Sequence, residues 1–465
     1  MTDATHGAAA PAAQSAANKF RFIAWRWHFY AGLYVIPFLL MLAVTGLVML
    51  WSAALLGRND ERMTVATTGE PLATSALQAI AEAAVPGGHA TQYIEPLSPA
   101  HVAAFAVEGA DGTTTGIALD PHTGAVMDSF AWGGGWYDFA DKIHGTLMIG
   151  TLGDRLIEIA ASLGLMLVAS GLYLHWPRGG GSLLKPNLVA RGRSLWKTLH
   201  GTIGIWMSLL LVFFLISGLS WAGVWGDRVV QAWSTFPVAK WDNVPVSDAI
   251  HASMNHDGEQ QVPWGLEKTP MPASGSLAGT PAVGGTPDID GITHFARTLG
   301  FEGRFQVNLP GNDTGVWTIS HDTMSKDGGL ATGDRTIHID RYTGNVLADV
   351  RYADYSPYAK AMAWGIALHE GDMGLWNIAL NTIFCLSVIF LSVSGVVMWI
   401  KRRPTGAMTL AAPPRPNAVP FWAGAAFVVF ALGIAFPMGG AAVLAVLILD
   451  ATLLRTIPLL RRALS

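Results

Sequence analysis

From Trp27 to Gly57 the chain carries no Asp, Glu, Lys or Arg, and Arg26 is the last charge before that run. An α-helix crosses a bilayer in about 20 apolar residues, so this stretch predicts a membrane span. Further apolar runs at Leu156–Trp176, Ile203–Val224 and Leu375–Ile400 predict three more. The last run, 416–449, is uncharged but broken by Pro437, Gly439 and Gly440, which predicts two shorter helices over 419–436 and 439–457 with a tight turn between them. The expectation is six transmembrane helices. The first is too long for a signal-peptide core and lacks a small-residue cleavage site, so it reads as a retained anchor.

Between the spans the pattern changes to alternation. Ile117-Ala118-Leu119-Asp120 followed by Pro121-His122-Thr123-Gly124-Ala125-Val126 reads as strand, turn, strand. The stretch 270–290 is rich in Pro, Gly, Ala, Ser and Thr and reads as a loop insertion. The chain thus divides into a disordered cytoplasmic tail (1–18), a first span (20–52), an outer domain (53–140), and an outer histidine segment with the second span (141–176). A cytoplasmic loop (177–197), the third span (198–224), a second outer domain (227–360), an outer histidine segment with the fourth span (361–400), a further loop (401–418) and the terminal hairpin (419–457) follow. Counted between the spans, the inner segments 1–27, 177–197, 401–418 and 455–465 total 77 residues and hold 15 of the 29 Lys and Arg, whereas the outer segments 53–155 and 227–372 hold 14 in 249 residues. That bias places both termini in the cytoplasm.

Composition narrows the chemistry. Hydrophobic residues make up 51% of the 465 and charged residues 13%, about half the charge of an ordinary soluble protein. A soluble enzyme is excluded, and a net charge of −4 without a basic stripe argues against a nucleic-acid partner. The single cysteine, Cys385, excludes intramolecular disulfides, four-Cys metal sites and covalent haem attachment. No G-x-G-x-x-G after a strand and no P-loop occurs, so no NAD or flavin motif is present and electrons would come from a separate donor. Any redox centre must be held by histidine.

The histidines fall into a repeat. A shift of 172 residues aligns His28-x3-Gly32 with His200-x3-Gly204, and Thr45-Gly46-Leu47 with Ser217-Gly218-Leu219. A shift of 220 aligns Asp120-x2-Thr123-Gly124-x-Val126 with Asp340-x2-Thr343-Gly344-x-Val346, and a shift of 224 to 225 brings Ser170-Gly171 onto Ser394-Gly395 and His144 onto His369. The chain reads as two copies of helix, outer domain, helix, followed by a hairpin. A histidine at a membrane span is costly and usually faces a bundle interior. His28 and His200 share a helical face with Gly32 and Gly204, where a missing side chain leaves room for a flat macrocycle, and imidazole is a normal axial ligand of haem iron. His144 and His369 form a second symmetric pair at the outer ends of helices 2 and 4. Taken singly, each is as well read as a snorkelling residue, with its glycine serving helix packing. As two repeat-related pairs they read as haem ligands. A 1.5 Å rise per residue makes the stretch from His28 to Trp51 ~35 Å long, room for two stacked haems.

His175, in Tyr173-Leu174-His175-Trp176-Pro177-Arg178, breaks the pairing and reads as an interfacial residue that could replace His28 or His200. His89, His101, His122, His251, His256, His294, His321 and His338 read as surface histidines of the outer domains, and His6 belongs to the tail. Glu158 reads as a partner of Arg155 in preference to a member of a proton path, and Asp450 as neutralised by Arg455 or by snorkelling. The 18 tryptophans cluster at span ends as an aromatic belt does.

Trp27-His28-x3-Gly32, the two Asp-x2-Thr-Gly hairpins, Ile143-His144-Gly145, the His175 segment and Leu199-His200-Gly201-Thr202-x-Gly204 together resemble the PepSY-associated transmembrane family over roughly 20–405. The resemblance implies an α-helical integral membrane protein of the bacterial inner membrane with two α+β PepSY-like periplasmic domains, b-type haem and a role in iron release. The expectation is a membrane haem oxidoreductase with two haems, one on His28 and His200 and one on His144 and His369. It would carry electrons from quinol or a cytoplasmic reductase to a ferric siderophore or other ferric chelate. A siderophore or iron transporter, and a haem-free regulatory or adaptor protein built on PepSY domains, are the other readings.

Overall fold

The computed structural model describes residues 16–58, 62–177, 182–231, 236–241, 243–255, 261–327, 329–404, 409–413, 423–452 and 456–457. In chain order the elements begin with α1 (Ala16–Leu55), α2 (Thr74–Ala83), β1 (His89–Ile94), β2 (Ala103–Glu108), β3 (Thr114–Leu119) and β4 (Val126–Ala131). Then come α3 (Trp136–Thr146), α4 (Thr151–His175), α5 (Gly192–Leu219), β5 (Val246–Ile250), β6 (Pro270–Pro272) and β7 (Thr280–Pro281). The chain continues through α6 (Ile289–Thr298), β8 (Gln306–Asn308), β9 (Val316–His321), β10 (Arg335–Asp340) and β11 (Asn345–Arg351) to α7 (Pro357–Glu370), α8 (Leu375–Ile400), α9 (Ala423–Ala435) and α10 (Pro437–Ala451). It forms two compact units, one of residues 1–40, 155–216 and 387–465, the other of 41–154 and 217–386.

Helices α1, α4, α5 and α8 are long and apolar enough to cross a membrane. Helix α8 coincides with the predicted fourth span, but α5 begins eleven residues before Ile203 and ends at Leu219. Its first turns carry Arg193 and Lys197, so the helix starts among polar residues ahead of the apolar run. The six expected spans reduce to four among the described residues. Helices α9 and α10 have 13 and 15 residues, short of the ~20 a span needs, and parts of 419–457 lie outside the described residues. The hairpin is nonetheless tight. A Cβ on Gly440 would come within 2.6 Å of the Gly433 carbonyl oxygen, and one on Gly439 within 2.5 Å of Ser162 Cβ in α4. Of the expected tail, residues 1–15 lie outside the description, and α1 already begins at Ala16.

The expectation of two separate outer domains is corrected in the second unit. A nine-stranded antiparallel sheet runs β4-β3-β2-β1-β8-β9-β10-β11-β7. The two segments meet at β1 and β8, where Gln92, Tyr93 and Ile94 pair with Asn308, Val307 and Gln306. Each segment alone would present an open strand edge there, and pairing removes both edges. Helices α2 and α6 share one core with the sheet, in which Leu77, Phe105 and Ile117 pack with Ile292, Phe305 and Ile337. The same order of one helix and four strands thus occurs twice. Both predicted hairpin turns have one design. The carboxylate of Asp120 accepts from His122 N and Thr123 Oγ1 at 2.8 Å, and that of Asp340 from Tyr342 N at 2.8 Å and Thr343 N at 2.9 Å. Gly124 and Gly344 follow at φ +74° and +71°, a conformation that glycine adopts without strain. The insertion at 270–290 is mostly loop, with the short strands β6 and β7.

Candidate functional site

In the first unit, His28 of α1 places Nδ1 2.9 Å from Ser170 Oγ of α4, and that hydroxyl donates to the Met166 carbonyl at 2.8 Å. His200 of α5 places Nδ1 2.8 Å from Ser394 Oγ of α8, which donates to Leu391 at 3.0 Å. The second unit repeats the device. His144 Nδ1 of α3 lies 2.9 Å from Thr45 Oγ1 of α1, which donates to Met41 at 2.8 Å, and His369 Nδ1 of α7 lies 2.7 Å from Ser217 Oγ of α5. A hydroxyl has one proton. Where it is spent on a helix carbonyl, the hydroxyl can only accept from the ring, so Nδ1 carries the proton and Nε2 keeps its lone pair. An outer partner on one ring nitrogen is what fixes the tautomer of a metal-binding histidine. Among the described residues, Nε2 of His28, His144 and His200 has no hydrogen-bond partner.

The residue after each hydroxyl is glycine. A Cβ on Gly171 would lie 3.3 Å from His28 Cε1, on Gly395 3.9 Å from His200 Cε1, and on Gly46 and Gly218 3.7 Å from Cε1 of His144 and His369. Each hydroxyl–glycine dipeptide therefore holds the ring by Nδ1 and seats its Cε1 edge on bare backbone. Beside the histidines there is open space, since a Cβ on Gly32, Gly145 or Gly365 would meet nothing within 4 Å and one on Gly204 only Leu391, at 3.8 Å. Local structure sets the His369 and His144 rings. Helix α7 starts on Ser356, whose side chain caps it, and stops at Gly371 at φ +90°, two residues after His369. Helix α3 ends at Leu147 at φ 53°, three after His144.

The structure brings both predicted pairs together. His28 and His200 are close enough to interact electrostatically, as are His144 and His369. Burial lowers His144 to about 4. Burial, then His144 and Lys326, lowers His369 to about 3. Both imidazoles are neutral near pH 7, the form that binds metals. No three His, Cys, Asp or Glu side chains gather as a metal-ion site among the described residues.

His175 lies near His200, yet its Nε2 is 3.2 Å from the Leu183 carbonyl and its ring fills the space a Gly201 side chain would take, 2.2 Å from a Cβ there to Nδ1. Glu158 is buried and lies 3.5 Å from Arg155 Nη1, the partner expected for it. The Asp450 and Arg455 side chains lie outside the described residues, as do His6 and His256. His251 and His338, expected at the surface, are fully buried, and this is a correction. Their Nε2 atoms lie 3.0 Å apart, His251 Nδ1 lies 2.6 Å from the Thr269 carbonyl, and His338 Nδ1 2.9 Å from Thr318 Oγ1. His338 alternates with Ile337 and Ile339, which enter the core shared with α2 and α6. Its own face of the sheet is covered by Trp241 and His251 rather than by water. His89 and His294 are exposed and His101, His122 and His321 half-buried.

The four hydroxyl–glycine pairs were visible in the sequence only as marks of the repeat. Their role depends on which helices face one another, which the spacing alone does not give. The model of the PepSY-associated TM region family matches residues 25–402, a stretch that contains all four histidine–hydroxyl pairs and the whole sheet. No curated protein matches the chain. The chain is a membrane protein and belongs to the PepSY-associated TM region family.

Proposed function

We propose that this protein is a haem-containing oxidoreductase of the bacterial inner membrane. It would pass electrons outward to a ferric siderophore or another ferric chelate in the periplasm and release ferrous iron. The observation that carries the reading is the fourfold repetition of a half-buried imidazole whose Nδ1 is held by a hydroxyl. Two such imidazoles make a poor site for a bare ion but suit a group that brings its own equatorial donors, and the space beside Gly32 suits a flat one. His28 with His200, and His144 with His369, are the residues that would hold two b-type haems. Bound there, haem supplies a one-electron iron couple.

The protein's own residues do the rest. Ser170, Ser394, Thr45 and Ser217 fix the rings, and a haem held by two of these histidines would keep no open position for oxygen chemistry. Burial keeps the outer imidazoles neutral. A ferric ion held by hard oxygen donors is bound less tightly once it is ferrous, so reduction releases it. The donor would be quinol or a cytoplasmic reductase. The test is an absorption spectrum of the purified protein, oxidised and dithionite-reduced, with haem counted per chain in wild type, His28→Ala and His144→Ala. Two b-type haems, with one lost from each variant, are expected. Protein made with ample haem that contains none refutes the reading and leaves the transporter or adaptor roles.

A further inference from the structure

Arg402 lies two residues beyond α8 in the first unit. Its guanidinium sits over the rings of Phe29 and Trp25 of α1, 4.7 and 5.2 Å from their centroids. Its Nε and Nη2 are buried and have no hydrogen-bond partner among the described residues. Burial, and then Arg193 at the start of α5, disfavour its charge. Among the described residues no carboxylate pairs with it. The three stretches of this unit hold only Asp3, Glu158 and Asp450 as acidic side chains, and Glu158 already faces Arg155. Two buried guanidinium nitrogens left unmet are costly unless an anion completes them, and the planar fork of this half-buried arginine matches a carboxylate.

Its position says which anion. Trp25, Phe29 and Gly32 lie at i, i+4 and i+7, on one stripe of α1, and His28 falls beside it within the same turns. Arg402 covers the inner turn of this stripe, and the next turn carries His28 and the open space at Gly32.

We infer that Arg402, with Arg193 beside it, anchors the carboxylates of a flat, amphipathic ligand held at His28 and His200, namely the propionates of the inner haem. The inference rests on the haem reading above and adds to it the residue that orients the ring. The sequence repeat agrees, since Arg178 follows Ser170 by eight residues as Arg402 follows Ser394. Arg178 itself lies outside the described residues.

The experiment compares full-length wild type, Arg402→Gln, Arg402→Lys and the exposed control Lys401→Gln, each reconstituted in neutral phosphatidylcholine and in vesicles that also contain phosphatidylglycerol. Haem loss to excess apomyoglobin and the two midpoint potentials are measured. Arg402→Gln should lose one haem about tenfold faster, with the other haem unaffected. It should also lower that haem's midpoint by about 59 mV, a tenfold shift in a one-electron equilibrium, because removing a cation disfavours the added electron. Arg402→Lys keeps the charge but not the fork, so its midpoint should stay near wild type while haem loss remains faster. Lys401→Gln should behave as wild type.

Wild-type loss rates and midpoints in Arg402→Gln overturn the inference. So does an effect confined to phosphatidylglycerol vesicles, which would mark a lipid-phosphate site. If Arg402→Gln does not fold, a wild-type loss rate in Arg402→Lys overturns it equally. Wild-type protein without haem sinks the reductase reading and this inference together, whereas two haems that Arg402→Gln leaves untouched sink only the inference.

Discussion

Replacing Thr45 by valine keeps the shape of the side chain and removes only its hydroxyl. Thr45 is 8% exposed, donates to Met41 at 2.8 Å and lies 2.9 Å from His144 Nδ1. In the variant the Met41 carbonyl keeps its helical surroundings, but the Nδ1–H of His144 stays buried with no acceptor. Leaving a buried donor unmet costs about 1–3 kcal/mol. The ring can escape that cost by turning or by moving its proton to Nε2, and either change spoils Nε2 as a ligand. An energy of that size corresponds to about 5- to 150-fold in an equilibrium that needs the original ring, and it overlaps the 10- to 100-fold typical of a lost outer partner at a metal site. The assay is the rate of haem loss and the reduced spectrum of the haem proposed at His144 and His369 in Thr45→Val, with Thr45→Ser as the control that retains the hydroxyl. Thr45→Val should lose one haem of two about 10- to 100-fold faster, and Thr45→Ser should resemble wild type. A folded Thr45→Val protein with wild-type retention and spectrum would refute the idea that the hydroxyl sets the ring.

Gly32→Leu should fold, because a Cβ there meets nothing within 4 Å, yet lower the haem content to one per chain, as read by pyridine haemochrome. Retention of both haems would show that this space is not used. Burial raises Asp334 to about 7 from an ordinary 3.8. Between about pH 4 and 7 the folded protein therefore keeps a proton that the unfolded chain releases, and stability falls as pH rises through that window. Asp334→Asn should remove this slope and raise the melting temperature at pH 8 more than at pH 5, and equal shifts at both would count against it. Burial lowers His251 to about 4 and holds His338 well below its usual range. Below about pH 6.5 the unfolded chain takes up protons that this pair refuses, so stability should fall towards pH 4. His338→Gln should flatten that acid loss, and an unchanged acid limb of the melting-temperature profile would argue against it.

How far the sequence carried this picture depended on the range of the interaction. A span is a local property, so four apolar runs sufficed for α1, α4, α5 and α8, although the α4 run contains Glu158. The error at the start of α5 arose because charge density marks the apolar slab and not the helix, which runs on through Arg193 and Lys197. The hairpin turns were legible for the same local reason, since Asp120 and Asp340 each bond residues two or three ahead. The join of β1 to β8 was not legible, because three residue pairs separated by more than two hundred positions leave no periodic trace. His338 failed in a subtler way. It alternates with Ile337 and Ile339 on β10, and nothing in a period of two says whether its face meets water or Trp241. The histidine pairs could be proposed because the repeat fixed them in order, whereas the hydroxyls that hold them were seen only as landmarks.

Those hydroxyls explain why the repeat takes the form it does. In α1 the histidine and the hydroxyl–glycine pair stand 17 residues apart, His28 and Thr45, and in α5 His200 and Ser217 keep the same spacing. Ser170 orients His28 and Thr45 orients His144, so one copy supplies a ring and its support at each site, and the second copy does the same with Ser394 and Ser217. No imidazole depends on the other copy for its orientation. On the proposed reading, bringing the two repeat halves together would give each site its second ring, already aimed. Most of the orientational cost is met within each copy as it folds. Divergence at one histidine or one hydroxyl would therefore disable half of one site and leave the other three rings in place. On this logic His175, which has no counterpart in the second copy and turns its Nε2 to the Leu183 carbonyl, belongs to the packing of α4 against α5 rather than to the paired rings.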